Sequence, residues 1–183
     1  MASDHQQGIL SGNYSEEKDT NQVIQRLTLN TQALSIIWGG SSSKERYWKR
    51  TSDDSSEVVQ LVGVYWLEVS GRIPLSCLTP CTAYKLFFMI KLKPDASGWV
   101  NYPVCFRLRL PGQKSKQVQM KLSECMGKEG WQQVPQAGIT FSFPENTNYS
   151  THSAVLTFAM SEIECEDFKT GLFIKEVIVA QEG

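Results

Sequence analysis

Four of the five tryptophans stand beside turns. Trp38 precedes Gly39-Gly40, Trp48 follows Tyr47 after a charged, serine-rich loop, Trp99 follows Gly98, and Trp131 follows Gly130. Trp66 alone sits inside an apolar run, where a structural indole belongs. An indole at a loop edge can turn a flat apolar face to solvent. That face suits a hexopyranose, whose axial C–H groups stack on the ring while its hydroxyl and acetamide groups seek hydrogen bonds from amides and carboxylates. Such an indole can equally fold back to cap a core, so position alone leaves both readings open.

Other chemistry is thinner. Glycoside hydrolysis needs two carboxylates at a set separation. Glu162 and Glu164 would share one face of a strand, within the acidic run Glu162, Glu164, Glu166, Asp167. The alternative is a solvated acidic loop before the last strand. A Ser-His-Asp triad has little to build on: His5 and His152 are the only histidines, and neither lies in a Gly-x-Ser-x-Gly elbow. Cys77-x3-Cys81 lacks a second ligand pair, so no zinc site is expected. No glycine-rich turn opens a helix to cradle phosphate. The sequence therefore predicts no metal, no cofactor and no catalysis.

The charge balance narrows the partners. Eighteen basic and 19 acidic residues leave a formal charge of -1. No basic field is available to hold nucleic acid or anionic lipid, and a neutral ligand or another protein fits better. No apolar run approaches the roughly 18 residues of a membrane span. The opening Met-Ala-Ser-Asp-His-Gln-Gln has neither a basic nor an apolar leader region, which predicts a cytoplasmic protein. The sequons Asn13-Tyr14-Ser15 and Asn148-Tyr149-Ser150 would then go unused, and thiols would stay reduced. Five cysteines is an odd number, so one must stay free or pair between chains. Cys105, on the outward face of its strand, is the candidate for an intermolecular bridge.

The elements that must position these residues read as strands. Residues 1–30 are polar and predict a flexible N-terminal tail, with a short helix over Gln22–Leu29 in which Val23, Ile24 and Leu27 share a face. From Leu34 onward short β-rich runs follow one another. In Val104–Leu110, Val104, Phe106, Leu108 and Leu110 point one way while Cys105, Arg107 and Arg109 point the other, the period of a half-buried strand. Leu34–Trp38, Val58–Val69 (with Gly63 as a bulge), Tyr84–Leu92, Val118–Leu122, Ile139–Phe143, Ala154–Met160 and Leu172–Val179 complete the set. Many short strands between Gly, Pro, Asn and Ser clusters predict an all-β fold, an antiparallel β-sandwich of jelly-roll kind, spanning residues 31–183.

The runs also carry a family resemblance. Leu34-Ser35-Ile36-Ile37-Trp38-Gly39 with Arg46-Tyr47-Trp48, then Val64–Gly71, Leu78-Thr79-Pro80 with Tyr84 and Phe87, Gly98-Trp99 with Pro103-Val104, and Met160-Ser161-Glu162 with Phe168–Leu172 and Ile174–Val177 occur in order. Together they resemble the phloem protein 2 and tobacco-type lectin domain. The resemblance implies a metal-independent β-sandwich lectin for N-acetylglucosamine oligomers and the chitobiose core of N-glycoproteins. It implies a site built on Trp38 and Trp48 with Glu162, to which the loop geometry adds Tyr47 and Trp99. Several members form dimers, so the resemblance implies a homodimer; members occur in the phloem sap of companion cells and sieve elements or in nucleus and cytoplasm, and phloem members associate with filament protein partly through disulfides. This chain departs from the pattern by the Ser41–Ser43 insertion between the two tryptophans. It also has Phe168 where tryptophan is usual, read as a core substitution.

Overall fold

Alternating apolar side chains need a second layer to bury against, and here two antiparallel sheets supply it to each other. The computed structural model describes residues 4–41, 44–145, 154–164 and 166–183. The strands are β1 (Tyr14–Lys18), β2 (Ile24–Asn30), β3 (Ser35–Ile36), β4 (Trp48–Asp53), β5 (Ser56–Leu61), β6 (Leu67–Pro74), β7 (Tyr84–Ser97), β8 (Val104–Arg109), β9 (Lys116–Met120), β10 (Gln132–Phe141), β11 (Val155–Glu162) and β12 (Thr170–Gln181). Five strands form one sheet in the order β3-β6-β11-β8-β9. The other seven gather around β12. One of its edges carries β7 and then β10; the other carries β2 against Glu176–Ala180 and β5 against Phe173–Ile174. The β-sandwich expected from the alternation is the observed fold.

The core is the interdigitation of inward side chains. Phe88 of β7 meets Phe106 of β8 and Phe158 of β11 edge to face, each with ring centroids 5.8 Å apart. Phe106, Leu108, Leu156, Phe158 and Met160 on one sheet bury against Leu86, Phe88, Ile90, Leu172, Ile174 and Val177 on the other. Burial of this kind contributes about 1.5–3 kcal/mol for each large side chain.

Four expectations are corrected. Residues 1–30 are not a mobile tail over their described length. Leu27 and Leu29 of β2 are fully buried, and β2 pairs with both β1 and β12. The helix expected over Gln22–Leu29 is therefore a strand: an open edge of β12 offers a ladder and a core face, and that tertiary pairing outweighs a weak helical pattern. The chain before β1 is also tied down. Gln6 exchanges backbone hydrogen bonds with Ile36, and its Nε2 donates to the carbonyls of Thr31 and Leu34. The long strand expected over Val58–Val69 is two strands in different sheets. The chain crosses between sheets over residues 62–66, and the Phe168 ring lies against Gly63, where an added Cβ would sit 2.1 Å from Phe168 Cζ. Finally, the strand expected over Leu34–Trp38 is only the two residues of β3.

Candidate functional site

Loops at one end of the sandwich bring together residues remote in sequence. The turn after β3 places Trp38 at φ 65°, a left-handed conformation unusual for a large side chain, and Gly39 follows because a Cβ there would lie 2.7 Å from the Ile36 side chain. The N-terminal segment holds that turn. The Trp38 N–H donates to His5 Nδ1 at 3.0 Å, and Gly40 N–H donates to the Asp4 carbonyl. The His5 ring meets Trp38 edge-on at 4.8 Å, and Trp38 tilts against Tyr47 at 5.2 Å. Arg46 lies 6.0 Å over the Tyr47 ring, at the outer limit of a cation–π contact. Three rings thus make a continuous half-exposed rim.

Beside this rim opens a cleft of about 500 Å³, lined among others by His5, Gln32, Glu45, Trp48 and Arg50. Trp48 begins β4, paired with Leu61, and is 5% exposed. Its Nε1–H is buried and has no hydrogen-bond partner among the described residues. Such an orphan donor costs about 1–3 kcal/mol. Arg50 is held by Glu57, which also accepts from Thr31 Oγ1 and Gln32 Nε2. The cleft wall is thereby a braced polar network next to an indole.

The five expected site residues separate. Trp38, Tyr47 and Trp48 come together as described. Trp99 does not join them. It is 1% exposed, with Nε1 donating to the Thr170 carbonyl at 2.9 Å, so its ring faces are covered by core and closed to a sugar. Glu162 is also turned inward at the end of β11 and does not line the Trp48 cleft. Its carboxylate lies 3.5 Å from Nζ of Lys169, whose side chain is wholly buried and donates to the carbonyls of Tyr65 and Asp167. Burying two charges is tolerable because they are paired and hydrogen-bonded. Glu164 donates its N–H to Glu162 as well.

Sequence reasoning missed other exposed rings. Trp66, read as core, is 45% exposed, with its Nε1 donating to Glu68. Phe168, read as a core substitution, is exposed and packs at 5.0 Å against the exposed Tyr65. The crossing of residues 62–66 from one sheet to the other is what brings these rings to the surface, and no local pattern signals that crossing. Tyr47 accepts the Val62 and Gly63 N–H groups on its carbonyl, which ties the start of the crossing to the loop that carries the Trp38–Tyr47 rim. Among the described residues no cluster of His, Cys, Asp and Glu could hold a metal. His152, Asn148 and Cys165 lie outside the described residues, as do Ser42 and Ser43 of the insertion. Of the described cysteines, burial chiefly raises the thiols of Cys77 and Cys125 above their ordinary pKa. Cys81 is exposed, and Cys105 is half-exposed on the outward face of β8, as its alternation requires.

Comparison with known proteins gives one consistent result. The family described as Phloem protein 2 matches residues 25–180, a span that opens in β2. The chain is 32% identical over 128 residues to Protein PHLOEM PROTEIN 2-LIKE A2 of Arabidopsis thaliana, covering 70% of this chain and 62% of that protein. It is 32% identical over 160 residues to Immune-associated nucleotide-binding protein 10 of the same plant, covering 80% of this chain but 32% of the relative. It is 26% identical over 165 residues to a protein named Lectin from Luffa acutangula, covering 88% and 73%. The chain thus spans 32% and 62% of the lengths of these two Arabidopsis relatives.

Proposed function

This chain belongs to the phloem protein 2 family, and from that premise we propose that it is a lectin that binds carbohydrate at the Trp48 cleft without breaking it. The observation that carries the reading is the ring rim of His5, Trp38 and Tyr47 beside a cleft lined by the edge of the Trp48 indole and by polar side chains. A cleft of about 500 Å³ is in the range for a small ligand of a few rings. Trp38 and Tyr47 offer apolar faces for pyranose C–H groups. Gln32, Glu45 and Arg50 offer both donors and acceptors for hydroxyl and acetamide groups. The finer ligand is a β-1,4-linked N-acetylglucosamine oligomer, as in the chitobiose core of N-glycans. Affinity should be low for one sugar and rise with length, each added stacked ring or hydrogen bond contributing about 1 kcal/mol. Glu162 supports the fold here, since Lys169 engages its carboxylate, and this argues against a role as proton donor to a glycosidic bond.

A relative named Lectin supports the class of ligand. Pairing of two chains would give two sites and avidity for glycoproteins in phloem sap. Calorimetry with chitotriose tests the site. Binding by the parent and at least tenfold weaker binding by Trp38→Ala is the expected result. Equal affinity in the two proteins would remove the rim from the site. Mass spectrometry of the recovered sugar should show the trisaccharide intact.

A second reading, assembly with a filament protein through cysteine, draws on the accessible thiols of Cys81 and Cys105. A gel without reductant, run on Cys81→Ser and Cys105→Ser proteins, discriminates it.

A further inference from the structure

We propose a second carbohydrate-binding surface on the outer face of the five-stranded sheet. It rests on the reading above for its ligand class but uses none of the cleft's residues. The register of that sheet stacks outward-facing side chains into rows that run across four strands. One row is Glu68, Ser161, Cys105 and Gln119, taken from β6, β11, β8 and β9. The next is Ser70, Ala159, Arg107 and Gln117. In the first row the middle residues are small and the outer ones long, so the face is hollow where a sheet surface is ordinarily filled by long side chains. Ser70 and Ala159 extend the shallow floor into the second row. The result is a trough of about 300 Å³ crossing the strands. Four strands at about 4.8 Å spacing give it a length of roughly 14 Å.

The chemistry of its walls is specific. Gln117 and Gln119 carry planar amides with donors and acceptors, Glu68 accepts, and Arg107 presents a guanidinium fork with no carboxylate partner among the described residues. Along one side, just beyond the starts of β6 and β8, stand two exposed rings, Trp66, whose Nε1–H bonds to Glu68 Oε2 at 3.0 Å, and Tyr102 in the trough lining. Amides and a guanidinium along a shallow floor, with aromatic rings along one side, match a chain of pyranose rings. Arg107 is offset by Glu68 and Glu164 in the same lining, whose third carboxylate, Glu162, meets Lys169; that balance favours a neutral sugar over an anion. A protein partner would seek a buried apolar pocket; the floor of Ser, Ala and Cys provides none, and the apolar lining residues Pro103 and Ile163 stand beyond the strand ends, Ile163 exposed.

The test is nuclear magnetic resonance of the labelled full chain, titrated with chitotetraose and separately with cellotetraose to about 10 mM, enough to see a Kd near 1 mM. The expected result with at least one sugar is saturable shifts at Gln117, Gln119, Ser161 and the Trp66 indole, with a different midpoint from any shifts at Trp38 and Tyr47. In a folded Arg107→Ala, Gln119→Ala protein the outer-face Kd should rise by about tenfold or more, with the cleft shifts unmoved. Shifts confined to the cleft would overturn the second surface and leave the lectin reading intact. Shifts confined to the outer face would establish the second surface and refute the cleft. No shift anywhere with either sugar would overturn both.

Discussion

The Trp48 cleft and the Glu162–Lys169 knot contain residues that the sequence assigns to one site, yet they are opposite kinds of structure. In the knot every polar group named has a partner inside the protein. Lys169 meets Glu162 and two carbonyls, and Trp99 meets Thr170. In the cleft an indole N–H has none among the described residues, and three rings stand at the surface beside it. Groups whose bonds are all internal hold the fold. Half-exposed rings and polar side chains beside an open cleft are groups that a ligand can meet. Residue type alone does not separate these roles, since both regions are built from tryptophan and charged side chains.

The contrast can be broken by substitution. The largest effect is expected from Lys169→Met, which leaves Glu162 buried without its cation. About 3–5 kcal/mol of stability should be lost, seen as a fall in Tm on the order of 10 °C. A fall of only a degree or two would mean that the knot is not a structural pair. Trp99→Phe should cost about 1–3 kcal/mol through the lost bond to Thr170, with sugar binding unchanged once the protein is folded; weakened binding would return Trp99 to the site. Trp48→Phe sharpens the comparison in the other direction. It removes a donor that makes no bond among the described residues, so Tm should hold or rise slightly while chitotriose affinity falls; a lower Tm with unchanged affinity would assign Trp48 to the core.

The smallest effect concerns a charge pair that burial does not amplify. Asp53 lies 3.0 Å from Lys91, and that hydrogen bond is the main cause holding its carboxyl below the ordinary value of 3.8. A carboxyl depressed in the folded state adds stability above its unfolded pKa and loses it as pH falls through the folded value. Asp53→Asn should therefore lower Tm marginally at pH 7 and not at all near pH 2. Equal losses at both pH values would show that packing, not charge, is what the residue supplies.

Much of the fold was legible because alternation is local. Val104 to Leu110 fixes its own inward and outward faces, and the outward Cys105, Arg107 and Arg109 are where the period of two puts them. What failed was any inference from position near a turn. Trp99 and Trp66 exchange the roles that their flanks suggest, one sealed and the other open. β2 was misread because its seven residues have too few apolar side chains to announce a strand, and only the vacant edge of β12 makes them one.

By itself, then, the sequence determined the layered all-β class, the faces of its strands and the presence of Trp38, Tyr47 and Trp48 near one another. Tertiary structure alone decided which rings and charges are exposed. Whether a loop indole is open or covered depends on what crosses over it, and for Trp99 that is the carbonyl of Thr170, 71 residues further along the chain. No pattern within a few residues of either position encodes that meeting.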